Sequence, residues 1–210
     1  MPAVAKKTKA SSRGSSSAEQ LLEATSQLLV ERNAVDVSFS AIAETSGLNS
    51  ALIKYHFGSK EGMLLALVKR DAKTALERLD RLVQLEIPSE RKIRLHVAGI
   101  INTYFKYPYL NRLIHNLLSD SEDSKQLAKF FVEPLVDAQS KILEEGVRLG
   151  HFRQVDPMFF YFSVVGACDH LFFGSSTRKY VYGVNSISNS MKENYIEFVS
   201  DLALRMLSKI

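Results

Sequence analysis

The 210-residue sequence has a single cysteine, Cys168. One thiol excludes an internal disulfide and any zinc site built on cysteines, and it fits a reducing compartment. Long apolar runs are also missing. None approaches the ~20 residues of a membrane-spanning helix, and the N-terminus lacks the apolar core of a secretory signal, so the expected location is cytoplasmic. HExxH, GxSxG and P-loop patterns are absent, as is any carboxylate-and-histidine spacing on paired helices that would bind a metal. Asp169-His170 is the one pair with acid–base potential, and no nucleophile stands beside it. No enzymatic activity, cofactor or metal is therefore expected. A strong charge imbalance is lacking too: the formal net charge is +4. Much of that excess falls in residues 1–70, with 9 Lys and Arg against 6 Asp and Glu, where phosphate neutralisation would use it.

What remains is a chain with 46% hydrophobic and 24% charged residues, as in ordinary globular proteins. Apolar residues recur at helical spacing, no useful stretch alternates as a strand does, and no internal repeat is evident. The pattern predicts an all-α fold of about nine helices. A capping box, Ser17 with Gln20, opens a helix to about residue 32 with Leu21, Leu22, Thr25, Leu28 and Leu29 inside. Two short helices follow within residues 38–57. Ser59 caps a long helix to about residue 85, striped by Met63, Leu64, Leu67, Val68, Leu76, Leu79 and Val83. Pro88 ends that pattern, and Ser89 is placed to cap the next helix. Further helices are expected at about 89–106, 109–119, 124–149, 156–173 and 189–208, with Pro134 kinking or dividing the third of these. Residues 174–188 read as the longest loop.

The stretch from Ser38 to Lys60, SFSAIAETSGLNSALIKYHFGSK, carries the clearest mechanism. Phe39, Ile42 and Ala43 space the first short helix, and Leu52, Ile53 and Phe57 space the second. Ser38 and Asn49 suit the two N-caps, and Gly47 suits a helix end that needs a residue without Cβ. Ala43 lets the helices cross closely, and Leu48 plugs the corner. Two helices joined by a short Gly-containing turn form a helix-turn-helix, whose second helix enters the DNA major groove.

The following run, His56-Phe57-Gly58-Ser59-Lys60-Glu61, resembles the segment of an aromatic pair, a small residue and Ser-Lys-Glu in the TetR family of bacterial transcriptional regulators. The motif-level resemblance covers roughly a quarter of the chain, from Ser17 to about Leu67; beyond it only the all-helical architecture is similar. It implies a DNA-binding head at residues 17–66, preceded by a basic tail at 1–16 and followed by a ligand-binding and dimerisation body at 67–210. Carried over by position, Lys54 and His56 face phosphates, and Lys60 opens the next helix against the sugar-phosphate chain. Asn49, Ser50, Ala51, Leu52 and Tyr55 take the positions that meet base edges or flanking phosphates, and Ser38 completes the DNA-facing set. Leu52 and His56 depart from the hydroxyl and phenol residues frequent there, so base preference does not transfer from relatives. Lys6, Lys7, Lys9 and Arg13 of the tail suit either a groove-following arm or a solvated extension.

The body is rich in aromatics with a few polar residues among them. Asn102, Phe105, His115, Phe131, Phe162, Asp169 and His170 form the candidate ligand set, since an apolar cavity with few placed polar groups is how small-molecule sites are built. Asp169-His170 has three competing readings: ligand anchor, contact across a dimer interface, or satisfied core pair. In the final helix Met191, Tyr195, Phe198, Leu202 and Met206 repeat near heptad spacing. The resemblance likewise implies a homodimer paired through the last two helices, about 156–173 and 189–208. The implied function is a ligand-responsive repressor that binds a near-palindromic operator in double-stranded DNA and is released by a small apolar or aromatic effector. A helical protein-interaction module without specific DNA binding is the alternative.

Overall fold

The computed structural model describes residues 16–32, 35–118 and 122–209. The basic tail therefore lies outside the described residues, apart from Ser16. Among the described residues there are eleven α-helices, one π-helical turn and no strand. None of those helices is long and apolar enough to cross a membrane.

Helix α1 (Ser17–Glu31) is followed by α2 (Phe39–Ser46) and α3 (Ala51–Phe57), which pack around it as a small head. The cap of α1 is Ser16 rather than Ser17: its side chain accepts from the Glu19 amide at 3.3 Å. Ser17 instead turns its hydroxyl to His56 on α3. The expected inner face of α1 is buried in full. Phe39, expected to share the inner face of α2, lies at its first turn and is 38% exposed, leaving Ala41 and Ile42 to fill the core.

Helix α4 (Lys60–Gln84) runs 25 residues, about 37 Å, and touches α1 and α3 at one end and the helices of the body along the rest. Ser59 caps it through the Gly62 amide at 2.9 Å. Its far end is closed by Lys92, whose Nζ donates to the Val83 carbonyl at 3.0 Å and to Glu145 Oε2 at 2.6 Å.

The body is built on α5 (Ser89–Lys106), which packs against α4, α8 (Glu133–Arg148), α9 (Pro157–Phe173) and α11 (Asn189–Leu207). Ser89 does not cap α5. It is the first helical residue and is buried, its hydroxyl 3.4 Å from His151 Nδ1, while Pro88 holds the cap position. Between α6 (Leu110–Leu117) and α8 the expected single helix is divided as Pro134 requires. Helix α7 (Glu122–Leu127) gives way to a π-helical turn at Ala128–Val132, and Pro134 stands in the first turn of α8. A proline lacks the amide for the i−4 bond and its ring crowds the Phe130 carbonyl, so the ladder widens there.

The expected loop at 174–188 contains a further short helix, α10 (Ser175–Tyr180). Arg178 holds it to α9 by donating from Nε to the Leu171 carbonyl at 2.7 Å, a tertiary contact that local composition does not encode.

Candidate nucleic-acid interface

The presentation of α3 begins with its supports. Ser38 Oγ accepts from the Ala41 amide at 3.2 Å and starts α2. Gly47 ends it at φ 69°, the left-handed conformation that costs a residue without Cβ nothing, and its amide bonds the Ala43 carbonyl at 2.9 Å. Leu48 turns back to pack against the core from the corner. The cap position of α3 falls on Ser50, which makes no side-chain cap bond, rather than on Asn49. Asn49 Oδ1 instead accepts from the Ala51 amide at 2.8 Å from one residue earlier and so still steers the entry into α3. Ile53 is fully buried and anchors α3 to the head; Leu52 and Phe57 are half-buried.

With one side of α3 anchored, the other is free to meet a partner. Ala51, Lys54 and Tyr55 are exposed, Tyr55 to 80%, together with Asn49 at the preceding turn and Ser38 at the start of α2; Ser50 is partly covered. The large exposed phenol and the free ammonium stand on successive residues of a helix too short to bend. Two members of the expected set are held by neighbours. His56 Nε2 lies 2.7 Å from Ser17 Oγ and ties α3 to the start of α1. Lys60 is ion-paired with Asp36, in the segment leading into α2. Both pairs are exposed or partly exposed, so a phosphate can compete for them.

The turn from α3 to α4 fixes where α3 points. Gly58 sits at φ 74°, and its amide bonds the Lys54 carbonyl at 2.9 Å. Gly62 is required for a different reason: a Cβ on it would stand 2.3 Å from the Phe57 carbonyl oxygen.

Behind the head lies a polar junction that the sequence reading missed. Tyr109, at the start of α6, is fully buried and bonds both Asp71 on α4 and Ser26 on α1, the latter at 2.7 Å. Arg70 donates to Asp71 at 2.8 Å and to Glu19 and Glu23 of α1 at 3.2 and 3.3 Å. Burial pushes the Tyr109 hydroxyl pKa up, and the Asp71 hydrogen bond adds to this. Burial alone would lower the Arg70 pKa, but Asp71 and Glu19 raise it. A signal for this junction was present as an Arg-Asp dipeptide in the apolar stripe of α4, and nothing local marked Tyr109 as its partner.

The seven body candidates fall in separate places. His115 on α6 lies 2.8 Å from Asp169 Oδ2 on α9, and the Asn111 amide reaches the Asp169 backbone carbonyl at 3.4 Å. Phe173 lies against both His115 and His170, with ring centroids 5.1 and 6.4 Å away. Asn102 is exposed on α5, and Phe105 is covered by Lys192 of α11 at 5.0 Å. Phe131 is buried on the π-helical turn, whereas Phe162 is 68% exposed. Among the described residues no group of three or more His, Cys, Asp or Glu is arranged to hold a metal.

The family model for bacterial regulatory proteins of the tetR family matches residues 21–67, and that for the tetracyclin repressor-like C-terminal domain matches residues 86–208. The HTH-type transcriptional regulatory protein RaaS of Mycobacterium tuberculosis is 30% identical over 126 residues, spanning 57% of this chain and 52% of that protein. The chain thus aligns with about half the length of this relative. A TetR/AcrR-family regulator from Thermobifida fusca has the same fold at a TM-score of 0.69 and 21% identity, over 91% of this chain and 98% of its own. FadR of Bacillus subtilis, solved with stearoyl-CoA, matches at a TM-score of 0.72 and 16% identity, over 90% and 99%.

Proposed function

The chain belongs to the TetR family of bacterial regulatory proteins, and from that membership we propose that it is a ligand-responsive transcriptional regulator that reads DNA with α3. The observation that carries this reading is the exposed Lys54-Tyr55 pair on a short helix held by Ser38, Gly47, Asn49 and Ile53. Tyr55 and Asn49 take the base-edge and flanking-phosphate roles with Ala51, Ser50 and Leu52. Lys54, His56 and Lys60 neutralise phosphates, and Ser38 lies beside them.

The acting species is a homodimer paired through α9 and α11, with two copies of α3 spaced for successive major grooves of a near-palindromic operator. The regulator acts as a repressor in the cytoplasm and has no catalytic role. B. subtilis FadR, of the same fold, is complexed with stearoyl-CoA, an amphiphile with a long apolar chain and a charged headgroup, so acyl-bearing molecules join apolar and aromatic ones as effector classes to test. Helix α6 is suited to transmit its presence, since Tyr109 at one end bonds α4 and α1 while His115 near the other bonds α9. An effector acts by preferring one of two head spacings, and operator DNA must then change effector affinity by the same factor.

Selection from a random duplex pool by the purified protein, followed by sequencing, tests the reading. An enriched inverted repeat supports it; no enrichment from a folded dimer returns the protein to the interaction-module alternative. Lys54→Ala in the wild-type operator assay is expected to lower the slope of log affinity against log salt by about one, the signature of a lost phosphate contact. An unchanged slope removes Lys54 from the interface.

A further inference from the structure

The outward face of α9 has an unusual symmetry. Phe159, Phe162, Gly166, His170 and Phe173 lie along one stripe of the helix, and all five are exposed, Phe173 resting in part against His115 of α6 and His170. Counted from Gly166, the aromatic rings stand four and seven residues away in both directions. The stripe therefore reads the same from either end.

Gly166 itself has no explanation within the chain. It lies inside a helix, where glycine is weakly favoured, and a Cβ built on it would meet nothing within 4 Å. Its neighbour Ala167 accepts from Tyr195 of α11 at 2.6 Å, and Tyr195 stacks on Phe198 with ring centroids 6.5 Å apart. The exposed side of α11, Phe198 and Leu202, thus lies beside the middle of α9.

We propose that a second copy of this chain crosses α9 at Gly166, with the two α9 helices antiparallel and the two-fold axis passing between the glycines. This rests on the homodimer reading and adds its axis, direction and register. A two-fold contact must pair each residue with its mirror position. Crossing at Gly166 sets Phe159 of one protomer against Phe173 of the other, and Phe162 against His170, so that every large ring meets a ring. The missing Cβ lets the two backbones approach at the crossing, and the antiparallel helix dipoles oppose.

The exposed area agrees with such an occupant. Met158, Phe159, Phe162, Phe173, Phe198 and Leu202 are 55, 66, 68, 49, 67 and 42% exposed. At 150–250 Å² for a large ring, they present on the order of 700 Å² per protomer, against about 800 Å² per partner in a stable complex.

Cysteine cross-linking of the full chain tests the register, with copper phenanthroline as oxidant. Cys168 is fully buried, so the wild-type protein is the uncrosslinked control. Gly166→Cys is expected to convert most of the protein to a disulfide-linked dimer, because the axis brings the two Cα atoms within the 4.4–6.8 Å a disulfide spans. Phe159→Cys combined with Phe173→Cys is expected to cross-link as well, and Phe159→Cys alone is not. A dimer by sedimentation in which Phe159→Cys links to itself, or in which Gly166→Cys does not link, overturns the crossing while leaving the dimer standing. A wild-type monomer overturns the dimer reading itself. Gly166→Arg is expected to weaken dimerisation at least tenfold with helix content unchanged; an intact dimer in that variant also overturns the proposal.

Discussion

Tyr109 donates its phenolic hydrogen to Asp71 in the buried seam where α1, α4 and α6 meet. The bond places a body residue in contact with the helix that carries the DNA-binding head, and Ser26 extends it into the head itself. Replacing Tyr109 by Phe keeps the ring and removes the donor. Asp71 retains Arg70, so the expected loss is about 1–3 kcal/mol rather than the cost of an unpaired buried charge. Urea unfolding should give a lower midpoint with an unchanged slope, and limited proteolysis should cut more readily between α1 and α4. An unmoved midpoint would mean that the hydroxyl contributes nothing.

Gly62→Ala tests the turn that aims α3. The added methyl would stand 2.3 Å from the Phe57 carbonyl, which belongs to the backbone and yields only if α3 moves relative to α4. The expected cost is about 1–3 kcal/mol, together with a loss of operator affinity larger than the stability change explains. Operator binding at a temperature where the variant is fully folded separates the two effects; wild-type affinity there refutes the role given to this turn.

Lys92 is almost wholly buried, with one bond to Glu145 and one to the last turn of α4. Lys92→Met keeps the apolar stem and leaves Glu145 and the Val83 carbonyl without their donor. Glu145 keeps 27% of its side chain in solvent, so the expected destabilisation is about 1–3 kcal/mol, that of a lost, partly buried charged hydrogen bond. The double variant with Glu145→Gln should recover part of it. If the single variant is as stable as the wild type, the pair is not a support of the α4–α5 junction.

His96 makes stability depend on pH. It is buried on α5, and burial lowers its pKa to about 4, with the adjacent Gln139 amide offsetting this in part; no well-formed hydrogen bond reaches Nε2. Unfolded, the same imidazole titrates near 6.5. Between those values the unfolded chain binds a proton that the folded chain does not, so stability is full above about pH 6.5 and falls as pH drops towards 4. The linked loss is about 3 kcal/mol over that window. His96→Gln should flatten the thermal midpoint between pH 7 and 5; an equally steep profile assigns the acid lability to other groups.

The sequence alone determined what is written in local spacing. The all-helical class, the caps at Ser38 and Ser59, the left-handed end at Gly47, the buried face of α1 and the break at Pro134 each depend on residues within a turn or two of one another, and each is present. The motif from His56 to Glu61 added the family on the same local basis. Tertiary structure decided which partners the polar groups took. His56 went to Ser17 and Lys60 to Asp36, Asp169 went to His115, and Tyr109 reached 38 residues back to Asp71. Periodicity marks which side of a helix is apolar but not what that side meets. Helix α9 is apolar on nearly every side in sequence, yet Phe160, Val164, Cys168 and Phe172 are buried within the chain while Phe159, Phe162 and Phe173 are not, because which sides a neighbouring helix covers is a property of the whole fold.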